Sequence, residues 1–228
     1  MKKEILINGF THIAYGAESY EAAEMLDRSR EFYRFMDKRR SVREFSDKPV
    51  AKEVIENIIR TAGTAPSGAH KQPWTFCAVS SAELKAKIRE AAEKEEKENY
   101  ENRMSERWKE DLKIFGTDEN KAFLETAPWL IVVCKKAYDL GPDGEKQNNY
   151  YVNESVGIAC GMLIAAIHNA GLVTLTHTPS PMNFLTEVLE RPKNERAFLL
   201  LPVGYPSKEA YVPKMGRKGL GEISEFYE

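Results

Sequence analysis

The spacing of apolar residues changes several times along the chain, and each change marks an element. Glu21 to Met36 carries the three-to-four-residue spacing of an amphipathic helix. Ser46 and Asp47 are candidate N-caps, and Pro49 a first-turn proline, for a second helix through Arg60 that Gly63 closes. Trp74 to Val79, rich in aromatic and β-branched residues, predicts a strand, and Ser80 with Glu83 offers a capping box for the next helix. From Glu83 to Lys113 there is no Gly or Pro, so the segment reads as helix. One row in it advances by fours: Leu84, Ile88, Ala92, Glu96, Tyr100, Met104, Trp108, Leu112. Each step drifts about 40° around a helix of 3.6 residues per turn, so the row cannot face one core on a straight helix. A break is expected near Asn99 to Arg103.

Asp118 to Thr126 predicts another short helix, ended by Pro128. Trp129 to Cys134 is a continuous apolar run that suits a strand buried on both faces. Asn153 to Ala170 reads as a helix stopped by Gly171, apolar or small almost all round from Val156 to Ile167. Such a helix belongs in a core or at a subunit interface. Leu172 to Thr176 and Ala197 to Val203 complete at least four strands, with a helix near Met182 to Glu190 between the last two. The order is that of an α+β chain, read as one unit over residues 1–228 with an extended C-terminal tail at 205–228.

Composition narrows the function classes. The 228 residues carry 33 Lys plus Arg against 35 Asp plus Glu, a net charge of −2, which argues against a whole-molecule polyanion binder. Cys77, Cys134 and Cys160 lie far apart in apolar runs, and His12, His70, His168 and His177 lack metal-ligand spacing, so reduced thiols and no structural metal are expected. The apolar stretch from Val156 to Ile167 falls short of the roughly 18 residues a bilayer demands, and the charged start, Met1-Lys-Lys-Glu-Ile, has no signal-peptide core. No membrane association and a cytoplasmic location are expected.

Three segments carry candidate chemistry. Lys38-Arg39-Arg40-Ser41-Val42-Arg43 gathers four bases and a hydroxyl, a set that suits a phosphate through charge-assisted bonds. Composition slightly favours a solvated helix end complementing the helix dipole over the phosphate site, and both over nucleic acid, which no second basic cluster supports. Thr64-Ala-Pro-Ser-Gly-Ala-His70 is a small-residue loop that would let a flat ligand approach backbone N–H groups. Thr174-Leu-Thr-His-Thr178-Pro179 alternates threonines at a strand end. Beside these, Glu83 to Lys113 holds ten acids and nine bases, a composition that by itself fits a solvated helix.

Taken in order, Arg39-Arg40-Ser41-Val42-Arg43, the Ala65-Pro66-Ser67-Gly68-Ala69-His70 loop leading into Pro73-Trp-Thr-Phe76, the Thr178-Pro179 strand end and Leu200-Leu-Pro-Val-Gly-Tyr-Pro206 resemble the FMN-dependent nitroreductase superfamily. Within it the chain is similar to the iodotyrosine deiodinase branch, from about residue 28 to 220. The resemblance implies an α+β fold with a central mixed or antiparallel sheet flanked by helices, an intertwined homodimer, and FMN. It assigns the flavin to Arg39, Arg40, Ser41, Val42, Arg43, Pro66, Ser67, Thr176, His177, Thr178 and Arg217. Thr178 matches the catalytic threonine whose hydroxyl reaches flavin N5 and favours one-electron chemistry over hydride transfer.

The same resemblance assigns the substrate zwitterion to Glu96, Tyr100 and Lys121, and its phenolate to the backbone N–H of Ala69. Residues 83–121 are then an active-site lid. The implied activity is reductive removal of halogen from 3-halotyrosines, with NAD(P)H or a reductase partner as electron source; a general nitroaromatic or quinone reductase is the alternative. Two departures stand out: the resemblance is to the soluble microbial form, for which no membrane anchor of the animal kind is expected, and Ser180-Pro-Met-Asn183 does not follow the branch pattern.

Overall fold

Asn8-Gly9 stands between two short apolar runs, and both residues take positive φ (52° and 81°), which only such a pair adopts at little cost. The result is a hairpin of β1 (Glu4–Ile7) and β2 (Phe10–Ile13) that the periodicity reading missed. The computed structural model describes residues 4–228, so the charged start at 1–3 lies outside the described residues. The chain packs as two compact units, one ending at Lys38 and one beginning at Arg39. The first holds the hairpin and α1 (Ala22–Asp37), a helix with no buried residue.

The second unit contains α2 (Lys52–Gly63), β3 (Trp74–Val79), α3 (Ala82–Glu98), α4 (Glu106–Lys113), α5 (Phe123–Thr126) and β4 (Trp129–Lys136). There follow β5 (Tyr138–Leu140), β6 (Lys146–Asn148), α6 (Val152–Asn169), β7 (Val173–Thr174), α7 (Asn183–Val188), β8 (Glu195–Gly204) and α8 (Leu220–Ile223). Four strands form the central sheet in the order β3-β4-β8-β7, and every ladder is antiparallel. The mixed option is thereby excluded for the strands themselves; the parallel contact is a single bridge, Ser41 to Thr174.

Period-two alternation on the central strands splits the core in two. Ile131, Val133, Leu199, Leu201 and Val203 pack with Ile55, Ile58 and Ala62 of α2 and Val156, Ala159, Leu163 and Ile167 of α6. Leu130, Val132, Cys134 and Leu200 face the other way, onto Ile88 and Ala92 of α3, Leu124 of α5 and Leu185 of α7. Complete burial of each such side chain stabilises by roughly 1.5–3 kcal/mol, so a strand apolar on both faces can lie only at the centre. The continuous run from Trp129 to Cys134 does so. Cys77, Cys134 and Cys160 are free thiols.

Several boundaries differ from expectation for identifiable reasons. Helix α2 begins after Ala51, because Phe45 bridges Pro206 and the Ser46 N–H donates to the Tyr205 carbonyl at 2.9 Å, holding residues 45–46 extended. Ser46 caps nothing helical; its hydroxyl accepts from Lys48 N–H. The cap of α3 is Ser81 rather than Ser80, with Oγ accepting from Leu84 N–H at 3.3 Å. Of the helix expected over 118–126, only Phe123–Thr126 is helical, since the Asp118 and Asn120 side chains accept from the N–H groups of Asn120 and Ala122 and fold 118–122 into turns. The break anticipated near Asn99 to Arg103 is a π-helical turn over those five residues. The tail is irregular apart from α8.

Candidate active site

The row of residues spaced by fours changes surroundings part-way along. Ile88 and Ala92 are in the core, whereas Glu96, Tyr100, Met104, Trp108 and Leu112 line a cavity of about 210 Å³. The π-turn lets this happen: it rotates the residues beyond Asn99 so that a drifting row stays on one side. The opposite wall is Arg43, Lys121, Phe123 and the extended segment Leu175 to Thr178. Thr176 and Thr178 are exposed toward it while His177 between them is buried, as alternation in an extended chain requires.

Glu96 and Lys121 are 8% and 3% exposed, and Lys121 Nζ stands 3.5 Å from the Glu96 carboxylate. Lys121 Nζ also donates to Thr117 Oγ1 at 3.2 Å and to the Asp118 carbonyl. The Tyr100 hydroxyl donates to the Thr117 carbonyl at 3.0 Å. Burial raises the Glu96 pKa, with Lys121 opposing, and burial together with the Glu96 charge raises that of Tyr100. The three residues thus offer an anion, a cation and a phenol in one place, an arrangement able to grip an amino-acid zwitterion.

Buried His177 stacks edge-on against Phe123, with centroids 5.6 Å apart, and its Nε2 lacks a hydrogen-bond partner. Burial, then Lys121 and Arg43, push its pKa down to about 3, so the ring is neutral. Its backbone N–H and carbonyl exchange bonds with Leu200 and fix the threonine segment to β8.

Arg43 also lines a second cavity, of about 180 Å³, with Arg39, Arg40, Ser41, Phe115, Pro213, Met215, Gly216 and Arg217. Four guanidinium groups and a hydroxyl converge there, and burial followed by repulsion from Arg217 and Arg40 lowers the Arg39 pKa. Like charges held together favour a bound polyanion such as a phosphate. Arg217 Nη2 donates to the Arg39 carbonyl at 2.8 Å, and Arg40 to that of Pro213, so the tail closes this cavity. Val42 is buried, and its backbone N–H bonds the Thr174 carbonyl; it lines neither cavity.

Pro66, Ser67 and Ala69 also line neither cavity of this chain. Their loop is shaped for backbone presentation: Ala69, His70 and Gln72 all have φ near +50°, unusual for residues bearing a side chain. Ser67 Oγ accepts from Gln72 N–H at 2.9 Å, and Gly68 sits so close to the segment leading into α6 that a Cβ there would come 2.8 Å from the Tyr150 carbonyl.

Residues 36–205 match the nitroreductase family. An iodotyrosine deiodinase of Haliscomenobacter hydrossis is 63% identical over 94% of this chain and 97% of its own length. The chain belongs to the nitroreductase family, in its iodotyrosine deiodinase branch. The human iodotyrosine deiodinase 1 is 51% identical over 93% of this chain and 74% of its own. A solved iodotyrosine deiodinase bound to FMN and 3-iodo-L-tyrosine matches with a TM-score of 0.76 and 31% identity, over 86% of this chain and 99% of that one. An FMN-dependent nitroreductase of Clostridium difficile, 20% identical with a TM-score of 0.61, shares the nitroreductase fold.

Against this branch assignment, the reading of Glu96, Tyr100, Lys121, Thr176, Thr178 and the arginines assembles into two cavities that share Arg43. Reading the sequence missed Phe115, Thr117 and the tail residues Pro213 and Met215, which carry no motif. Met104, Trp108 and Leu112 did carry a signal, their place in the row by fours. Ser180, in the atypical stretch, accepts from Asn99 Nδ2 at 3.0 Å through its carbonyl, tying that stretch to the π-turn.

Proposed function

We propose that this chain is an FMN-dependent oxidoreductase that removes iodide, and halide generally, from 3-halotyrosines to leave tyrosine. The observation that carries the reading is the single cavity that joins an amino-acid clamp to the threonine segment and, through Arg43, to the arginine-lined cavity. The residues fit the cofactor, because a cluster of four arginines, in which burial and then the charges of Arg217 and Arg40 lower the Arg39 pKa, suits a doubly charged phosphate. Arg39, Arg40, Ser41, Arg43 and Arg217 hold that phosphate end. When bound, FMN supplies the electrons for reducing a carbon–halogen bond, with a proton taken up and halide released.

The protein's part is binding and exclusion. Glu96 receives the substrate ammonium, Lys121 its carboxylate, and Tyr100 contributes a hydroxyl. Thr178 presents a hydroxyl to the flavin ring from the cavity wall, and Ala69 a backbone N–H to the substrate phenolate. Residues 83–121 act as a lid that keeps water out; α4 within it has no buried residue.

The functional unit is a homodimer. Two features support this: the Pro66 to Ala69 loop lies away from both cavities of its own chain, and α6 leaves Gly157, Ile158 and Gly161 exposed, Ile158 by 47%. Reducing equivalents come from NAD(P)H, directly or through a reductase, in the cytoplasm. Among the described residues no helix is long and apolar enough to cross a membrane.

The test is anaerobic. Photoreduced holoprotein mixed with 3-iodotyrosine should reoxidise and yield tyrosine and iodide. Reoxidation by a nitroaromatic alone, with 3-iodotyrosine inert, would replace this reading with general nitroreduction.

A further inference from the structure

The clamp needs Lys121 opposite Glu96, yet Lys121 is not on a helix that could place it. It lies in the 118–122 turns, one residue beyond Asn120. A flexible side chain on a loop positions its charge only as well as the backbone beneath it is held. That backbone is held from α3: the Lys121 N–H donates to Glu93 Oε1 at 2.7 Å. Glu93 is in turn gripped by Arg89, whose Nε donates to the same oxygen at 2.7 Å.

The remaining guanidinium nitrogens of Arg89 are also used. Nη1 reaches Glu125 Oε1 at 3.1 Å, and Nη2 reaches Asn120 Oδ1 at 3.2 Å, the oxygen that also accepts from Ala122 N–H at 3.1 Å. One side chain thereby links α3, the turns and α5. Glu93 precedes Glu96 by three residues, so neighbouring positions of one helix present one carboxylate to the cavity and another to the loop that carries its cationic counterpart. Neither Arg89 nor Glu93 lines the cavity.

We propose that Arg89 and Glu93 are positioning residues for substrate recognition, fixing the Lys121 backbone relative to Glu96 and so setting the spacing of the amino-acid clamp. The inference rests on the halotyrosine reading above. Partly exposed ion pairs of this kind contribute little to stability, so their effect falls on geometry. Glu93 stays ionised: burial raises its pKa, but Arg89 and the Lys121 N–H outweigh that and the net direction is down.

The experiment titrates FMN-loaded protein with 3-iodotyrosine and follows the flavin signal. Glu93→Ala should weaken 3-iodotyrosine binding by about tenfold, the loss of one charge-assisted hydrogen bond, and leave FMN retention unchanged. Glu93→Gln, which keeps an acceptor for the Lys121 N–H, should recover most of the affinity. In a Lys121→Met background nothing remains to be positioned, so adding Glu93→Ala should change affinity by less than about twofold. Unchanged affinity in Glu93→Ala, or a further tenfold loss in the Lys121→Met background, would overturn the proposal. Wild-type protein that binds no 3-iodotyrosine would overturn the halotyrosine reading with it, which separates the two failures.

Discussion

Replacing Lys121 with methionine tests the clamp most directly, because it keeps the bulk of the side chain and removes only its charge. In the wild-type chain Glu96 is buried, and its carboxylate is held by one cation, 3.5 Å away. At that separation Coulomb attraction is about 5 kcal/mol for an effective dielectric constant near 20, an upper bound from which the desolvation of both ions is subtracted. Breaking a buried pair by deleting one partner typically costs about 3–5 kcal/mol. Glu96 can limit this loss by taking up a proton, since burial already raises its pKa and the opposing influence of Lys121 is gone.

The sign follows. A carboxylic acid with a raised folded pKa binds its proton more tightly folded than unfolded, so stability falls as pH rises from the ordinary value near 4.5 through the folded value. In Lys121→Met that window extends further upward. Thermal unfolding should therefore show a small deficit at pH 5 and a larger one at pH 8. A deficit of about 3 kcal/mol corresponds to roughly 6–12 °C for a chain of this size. Binding should respond in the opposite sense: the ammonium of 3-iodotyrosine meets a neutral Glu96 at low pH and a carboxylate at high pH, so the variant's affinity should rise with pH while remaining below wild type. Equal melting deficits at the two pH values, or a wild-type melting point, would refute the coupling of Lys121 to Glu96.

The other predictions concern separate parts of the molecule. Arg217→Ala and Arg39→Ala should each weaken FMN retention by about 10–100-fold, as expected for a charge-assisted bond, with equilibrium dialysis as the measure. Thr178→Ala should retain FMN and 3-iodotyrosine yet lower turnover about tenfold or more, read by stopped-flow flavin reoxidation. His177 should show no imidazole titration by NMR above about pH 4; because its folded pKa is lowered to about 3, the stability linked to it is complete above its ordinary value near 6.5 and is lost as pH falls toward 3. Ile158→Asp should convert a dimer to monomers in analytical ultracentrifugation without altering the far-ultraviolet circular dichroism.

The course of the main elements was legible in local patterns. Trp129 to Cys134 could be read as a central strand because a run apolar at every position leaves no face for water, and the drift of the Leu84 to Leu112 row required a break where the π-turn occurs. Glu96 stands out as the one charged member of that row, whereas Lys121 entered only through the family resemblance and not through any local pattern. Spacing, composition and period carry no information about which loop lies across from a helix face, so the ion pair with Lys121 and the Arg89 to Glu93 support beneath it belong to the tertiary structure alone.

The same division explains the misplaced caps. Ser46 and Ser80 had the right chemistry, and the long-range bond to Tyr205 decided against the first, a helix start at Ala82 with Ser81 as its cap against the second. By itself the sequence determined the kinds and order of the main elements of the second unit and, through its motifs, the family, because these depend on residue type and near neighbours. Tertiary structure decided that Arg43 joins the two cavities, that the tail folds back over the arginines, and that Val42 and the Pro66 to Ala69 loop stand away from both. Those outcomes turn on contacts between segments tens to hundreds of residues apart, where close packing and charge pairing act and local propensity does not reach.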